Sequence, residues 1–349
     1  MPSPTPDAVI QTVELGRPWQ TVDPFLFCVH HDDDYPEGDD ELGPCAPLTG
    51  RAIGQDFSAR DGWSMYHGSL VPGFPQHPHR GFETISFMRR GWMDHSDSLG
   101  AAARFGRGDV QWMTAGSGIV HAEMFPLLHR DRHNETELFQ IWINLPSTDK
   151  MVPPHFSMLW DHQIPKHTLL DDAGRPVQVT VVAGEAVEGH RAPAPPPHSY
   201  ASRSDSDVQI WHLALSERAS WTMPTARHPE SVRVVYVFGD GAVRIGGTEV
   251  TAGRAAVVRC DVPVTIADDA PGGAGAEALV LQGRPIGEPV AQYGPFVMNT
   301  KAEIARAYED YRSTWFGGWP WPVDDPNHGP ELRRFARHAD GRVEELAGA

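Results

Sequence analysis

The chain reads as an all-β protein: two successive blocks of short strands, with one helix near the C-terminus. Three observations lead there. From Trp63 onward, short apolar runs alternate with Gly, Pro and Asp clusters, the pattern of a β-sandwich or barrel. After an interval rich in Gly, Ala, Pro and Ser at 185–206, the same rhythm returns. Finally, Ile304, Ala307, Tyr308, Tyr311 and Trp315 recur at helical spacing behind a Thr300/Glu303 capping box. The interval suggests a boundary, giving an N-terminal domain at 1–190 and a C-terminal domain with helix and tail at 191–349.

In order, residues 1–12 are rich in Pro and Thr and are expected to be loosely held. Residues 24–29 form a buried strand. The acidic stretch at 32–41 imitates a calcium loop, but Pro36 takes a ligand position and Gly43 stands where the closing Glu belongs. It reads instead as a solvated surface loop. Strands at 82–88 and 92–96 flank Arg89-Arg90-Gly91 as a hairpin, and turns at 97–100 and 106–109 lead into a strand at 110–114. Ala115-Gly116-Ser117-Gly118 bends the chain, and strands at 138–145 and 177–184 complete the block. The second block has strands at 208–215, 232–238, 242–245 and 255–260. The aromatic segment 315–322 is expected to seal a surface.

Composition excludes several functions. At 349 residues the chain should hold about two domains. A net charge of -17 opposes direct binding to nucleic-acid phosphates or to an anionic membrane surface. The three cysteines, Cys28, Cys45 and Cys260, are widely spaced, which suggests reduced thiols and a cytoplasmic setting. No apolar run approaches the ~18 residues of a membrane helix. A soluble monomer is expected.

The chemistry concentrates between His77 and Glu123. Residues two apart on a strand point to the same face. His77 and His79 can therefore aim at one point, and His121 and Glu123 at the same point from a second strand. Three imidazoles and a carboxylate make a mixed N/O site for Fe, Cu, Zn, Ni or Mn. The second block has no such pair. His228 precedes a strand there, and a lone histidine reads as structural.

These motifs resemble a known family. The segments at 77–84, 97–100, 108–116 and 118–124, and 294–300 ahead of the helix, closely resemble pirins over roughly residues 15–320. The resemblance implies two tandem cupin (double-stranded β-helix, or jelly-roll) barrels, with iron in the N-terminal barrel only, held by His77, His79, His121 and Glu123. The general cupin pattern His-x-His-x3-Glu also fits Glu83, although the pirin pattern favours Glu123. The acidic insertion near 32–47 and the tail after 322 are longer than in the shorter pirins.

Pirin-like proteins are associated with quercetin 2,3-dioxygenase activity. The resemblance therefore implies an oxygenase that opens a flavonol-like aromatic substrate and releases carbon monoxide, with Glu123 as the catalytic proton acceptor. Trp112, Met113, Phe74 and Phe82 are candidates for the pocket wall. The other implied reading is an iron-dependent redox sensor that regulates a protein partner without turnover.

Overall fold

The computed structural model describes residues 8–269 and 275–346. They fall into two compact units that interleave along the chain, one of Val29–Asp161 with Glu288–Ala349 and one of Met1–Cys28 with His162–Gly287. This differs from the sequential division at 190. Val9–Glu14 pairs with Arg254–Val258, so the N-terminus belongs to the later strands. Arg334–Arg337 pairs with Ala102–Gly106, so the tail belongs to the earlier ones. Both are long-range pairings that local composition does not encode.

In the unit carrying the histidine motifs, two antiparallel sheets enclose one core. One has the order His155–Leu159, Val110–Thr114, Phe82–Arg90, Asn134–Asn144, Phe25–Tyr35. The other runs Val343–Leu346, Arg334–Arg337, Ala102–Gly106, Trp92–Asp97, Ile119–Met124, Gly73–His79. Met88 and Leu138 from the first sheet and Met93 and Phe105 from the second share one apolar cluster. Burying both inner faces is the main favourable term for such a sandwich.

The other unit repeats the plan. Its larger sheet is ordered Val9–Glu14, Arg254–Val258, Val232–Phe238, Ala276–Gly283, Gln209–Leu215, Pro176–Ala183, Lys166–Leu170. A four-stranded sheet holds Ser220–Met223, Val264–Asp268, Ala242–Ile245 and Thr248–Thr251. Val179, Leu213, Val235, Val243 and Ile266 fill the space between.

Several expectations change. Residues 1–7 of the expected loose segment lie outside the described residues, whereas Val9–Glu14 is a paired strand. The strand begun at Phe25 runs on to Tyr35, so part of the acidic stretch is not a solvated loop. Asp33 is buried there, accepting from the Ser64 amide (3.0 Å) and the Tyr66 hydroxyl (2.7 Å). Phe82–Arg90 and Trp92–Asp97 are not a hairpin, because each pairs within a different sheet. Gly91 makes the crossing with φ +77°, where a Cβ would come within 2.6 Å of Thr136 Oγ1. The interval 185–206 is no linker. It holds the short pair Glu185–Val187 and His190–Arg191, and Ala186, Ala192 and Tyr200 are buried.

The helix Lys301–Thr314 carries the expected capping box, with the Thr300 hydroxyl receiving the Glu303 amide and Glu303 receiving the Thr300 amide. Ile304 and Ala307 pack on Phe296 and Met298, in the unit of the histidine motifs. Trp315 leaves the stripe at 48% exposure, because the chain turns left-handed at that residue. No helix among the described residues is long and apolar enough to cross a membrane.

Candidate metal centre

Two adjacent strands position the histidines. Gly73–His79 pairs with Ile119–Met124 in a register that sets His77 directly opposite His121. A bulge between Phe74 and His77 shifts that register and re-aims the side chains beyond it. Ligand nitrogens of His77, His79 and His121 all lie within 4.8 Å of one another. The ring centroids are 4.4 Å apart for His77 and His121, and 4.9 Å for His79 and His121.

The rings are prepared as neutral donors. His77 Nδ1 donates to the Pro75 carbonyl at 2.9 Å, which leaves Nε2 with its lone pair free for an ion. His79 Nδ1 sits 3.4 Å from the Pro295 carbonyl. Burial pushes the His77 pKa down to about 4, and burial with the neighbouring imidazoles holds His79 and His121 well below their ordinary value. Metal ligation requires the neutral form, so this environment favours it.

His121 supplies the test of fit. It is fully buried, and neither ring nitrogen has a hydrogen-bond partner among the described residues. A buried polar group left unsatisfied costs about 1–3 kcal/mol. A divalent ion gripped by three imidazoles would remove that cost, so the donor set fits a metal.

The two carboxylates fare differently. Glu123 lies on the His121 strand, buried, and is not among the atoms of the three-histidine cluster. Its Oε1 accepts from Ser86 Oγ (2.7 Å) and its Oε2 from Gln140 Nε2 (3.3 Å). Burial raises its pKa, while Ser86, His95 and Gln140 pull it back. Glu83 accepts from Thr114 Oγ1 (2.8 Å) and Trp112 Nε1 (3.3 Å) and is likewise outside the cluster. The Phe74 ring lies 6.4 Å from His77 and the Phe82 ring 5.0 Å from His79. Met113 instead joins a separate cluster with Ala115 and Ile119.

Sequence reasoning missed His95. It is fully buried opposite Glu123 in the sheet, with its ring 5.6 Å from that of His121. Its Nε2 lies 3.2 Å from Asp97 Oδ2. The even spacing of His95 and Asp97 on a strand was the available signal. Ser86 and Gln140, which orient Glu123, carried none.

The segment after residue 288 clamps the ligand loop. Arg80 Nε donates to the Ser117 carbonyl and its Nη1 to Asp310 on the helix, each at 2.7 Å, while the Phe316 ring lies against its guanidinium. Buried Lys150 donates from Nζ to the Gly81 carbonyl (2.8 Å), Asn144 Oδ1 (2.8 Å) and the Val297 carbonyl (3.1 Å). Trp321 donates its indole N–H to the Asp97 carbonyl at 2.9 Å.

Comparison with known proteins places this architecture. Residues 8–143 match the family model described as Pirin, and residues 210–317 match the Pirin C-terminal cupin domain. Pirin-1 of Arabidopsis thaliana is 35% identical over 247 residues, covering 70% of this chain and 78% of the relative. A pirin-like protein of Caulobacter vibrioides is 35% identical over 246 residues, covering 69% and 79%. The crystal structure of a quercetin 2,3-dioxygenase from Acinetobacter baumannii superposes with a TM-score of 0.67 at 26% identity, covering 89% of this chain and 98% of that one. With two cupin barrels and histidines converging in the first, this chain belongs to the pirin family.

Proposed function

We propose that this protein is a metal-dependent oxygenase of the quercetin 2,3-dioxygenase type, acting on flavonol-like substrates. In this reading a single iron ion is held by His77, His79, His121 and Glu123. The observation that carries it is the cluster of three neutral imidazoles, His79 and His121 buried and His77 half-buried, with neither His121 nitrogen bonded to any other group among the described residues. The likeness to the Acinetobacter baumannii quercetin 2,3-dioxygenase supports the substrate class. When bound, the ion would supply Lewis acidity and redox capacity.

The protein's own groups would do the rest. Glu123 sits where burial raises its proton affinity, which suits it to take the proton of a flavonol 3-hydroxyl. Ser86 and Gln140 hold both of its oxygens, fixing its orientation. Half-buried Phe74 sets an aromatic ring beside His77, a contact suited to a flat aromatic substrate, while fully buried Phe82 packs edge-on against His79 and backs the site. The three free thiols support a reducing, cytoplasmic location.

The test is direct. Protein loaded anaerobically with iron and mixed with quercetin and air should bleach the flavonol's visible absorbance and release carbon monoxide, and His121→Ala should not. Loaded protein that leaves quercetin intact would refute the assignment.

A further inference from the structure

A cavity stands in the barrel that carries no histidine pair. Glu185, Gln209, Trp211, Pro224, Arg233 and Gln282 are among the residues lining its volume of about 170 Å³. Three of them form a polar row across adjacent strands, since Gln282 pairs with Gln209 on one side and with Arg233 on the other. Arg233 is fully buried. Its Nε donates to Gln282 Oε1 and its Nη2 to the Pro224 carbonyl, each at 2.7 Å. Its Nη1 has no partner among the described residues, and neither has the indole nitrogen of buried Trp211. The guanidinium carbon lies 5.3 Å from the centre of the Trp211 ring.

Among the described residues, no carboxylate makes an ion pair with the guanidinium. Asp207 is the nearby candidate, but its oxygens already accept from Gln209 Nε2 (3.0 Å), Gln282 Nε2 (2.9 Å) and Ser231 Oγ (2.7 Å). It further receives the amides of Arg227 (3.0 Å) and His228 (3.3 Å). A buried cation with a free N–H and no paired anion is costly. Such a group persists most readily where a ligand completes it.

We propose that the second barrel binds a small organic carboxylate, held by Arg233 Nη1 and the Trp211 indole N–H. A planar carboxylate offers two acceptors on one edge, and charge-assisted bonds from a guanidinium suit it. The cavity falls below the ~300 Å³ of pockets for drug-sized ligands, so the ligand has few heavy atoms. Glu185, Glu188 and Asp207 stand against Arg227 and Arg233 in the lining, a net negative balance that disfavours ligands of higher negative charge.

The experiment uses the full chain labelled with ¹⁵N, its Trp211 indole signal assigned by its loss in Trp211→Phe. Sodium acetate should move that signal saturably, while sodium chloride at matched ionic strength should not. Arg233→Met should weaken the acetate response about tenfold or more. If Arg233→Met does not fold, the wild-type titration decides alone. A Trp211 signal that acetate leaves in place, or an equal acetate response in folded Arg233→Met, overturns the proposal. A response to inorganic phosphate with none to acetate overturns the carboxylate assignment.

Discussion

His77 and His121 face each other across two paired strands, directly opposed in register with ring centroids 4.4 Å apart. Two neutral imidazoles held so close have little to gain from each other and much from a shared ion. His121→Ala should therefore lower metal affinity by at least the ~10–100-fold typical of losing an outer partner. Competition with a chromogenic chelator measures this, and unchanged affinity would contradict the site.

Ser86 separates the roles of Glu123. If Glu123 is a ligand, Ser86→Ala removes the hydroxyl that fixes Oε1, and metal affinity should fall about 10–100-fold. If Glu123 does not ligate, affinity should stay level while flavonol turnover drops. Paired affinity and turnover measurements on this variant distinguish the two.

The clamp on the ligand loop should be measurable as stability. Gly81 has φ +84°, and a Cβ there would come 2.0 Å from the Val297 carbonyl oxygen. Gly81→Ala must push the segment around Val297 away and weaken the Lys150 bridge. Thermal melting should show a loss of more than about 2 kcal/mol, beyond ordinary surface changes. An unchanged melting temperature would mean that the clamp is dispensable.

Acid should act through Asp56. Burial raises its pKa, but hydrogen bonds from the Ser58 hydroxyl, the Met65 amide and Arg51 outweigh this and hold it at about 2, against an ordinary 3.8. A carboxyl depressed in the folded state adds stability above its unfolded pKa and loses it as pH falls through the folded value. The contribution, about 2 kcal/mol, should be whole above pH ~4 and vanish towards pH ~2. Urea titrations of Asp56→Asn against wild type should show a gap that closes across that window.

Much of this was legible in the sequence, for physical reasons. Strands such as Val110–Thr114 and Val232–Phe238 announce themselves because apolar runs between turn residues have few other ways to bury. His77, His79 and His121 were legible because even spacing on a strand means a shared face. The pairing of Val9–Glu14 with Arg254–Val258 depends on partners far apart in the chain, and no local pattern encodes it. The helix was readable from its cap and period, yet the surface it covers was not, since amphipathicity does not name a partner. His95 escaped because a single histidine on a strand looks structural until its neighbours across the sheet are known.

The central claim is an ion held by the three clustered histidines, and metal analysis of freshly purified protein tests it most directly. Wild-type protein should carry about one divalent ion per chain, and the His77→Ala, His79→Ala, His121→Ala triple variant a content near zero with its folding preserved. Equal metal content in a folded triple variant, or wild-type protein that takes up no ion when offered iron, copper, nickel, manganese and zinc in turn, would contradict it.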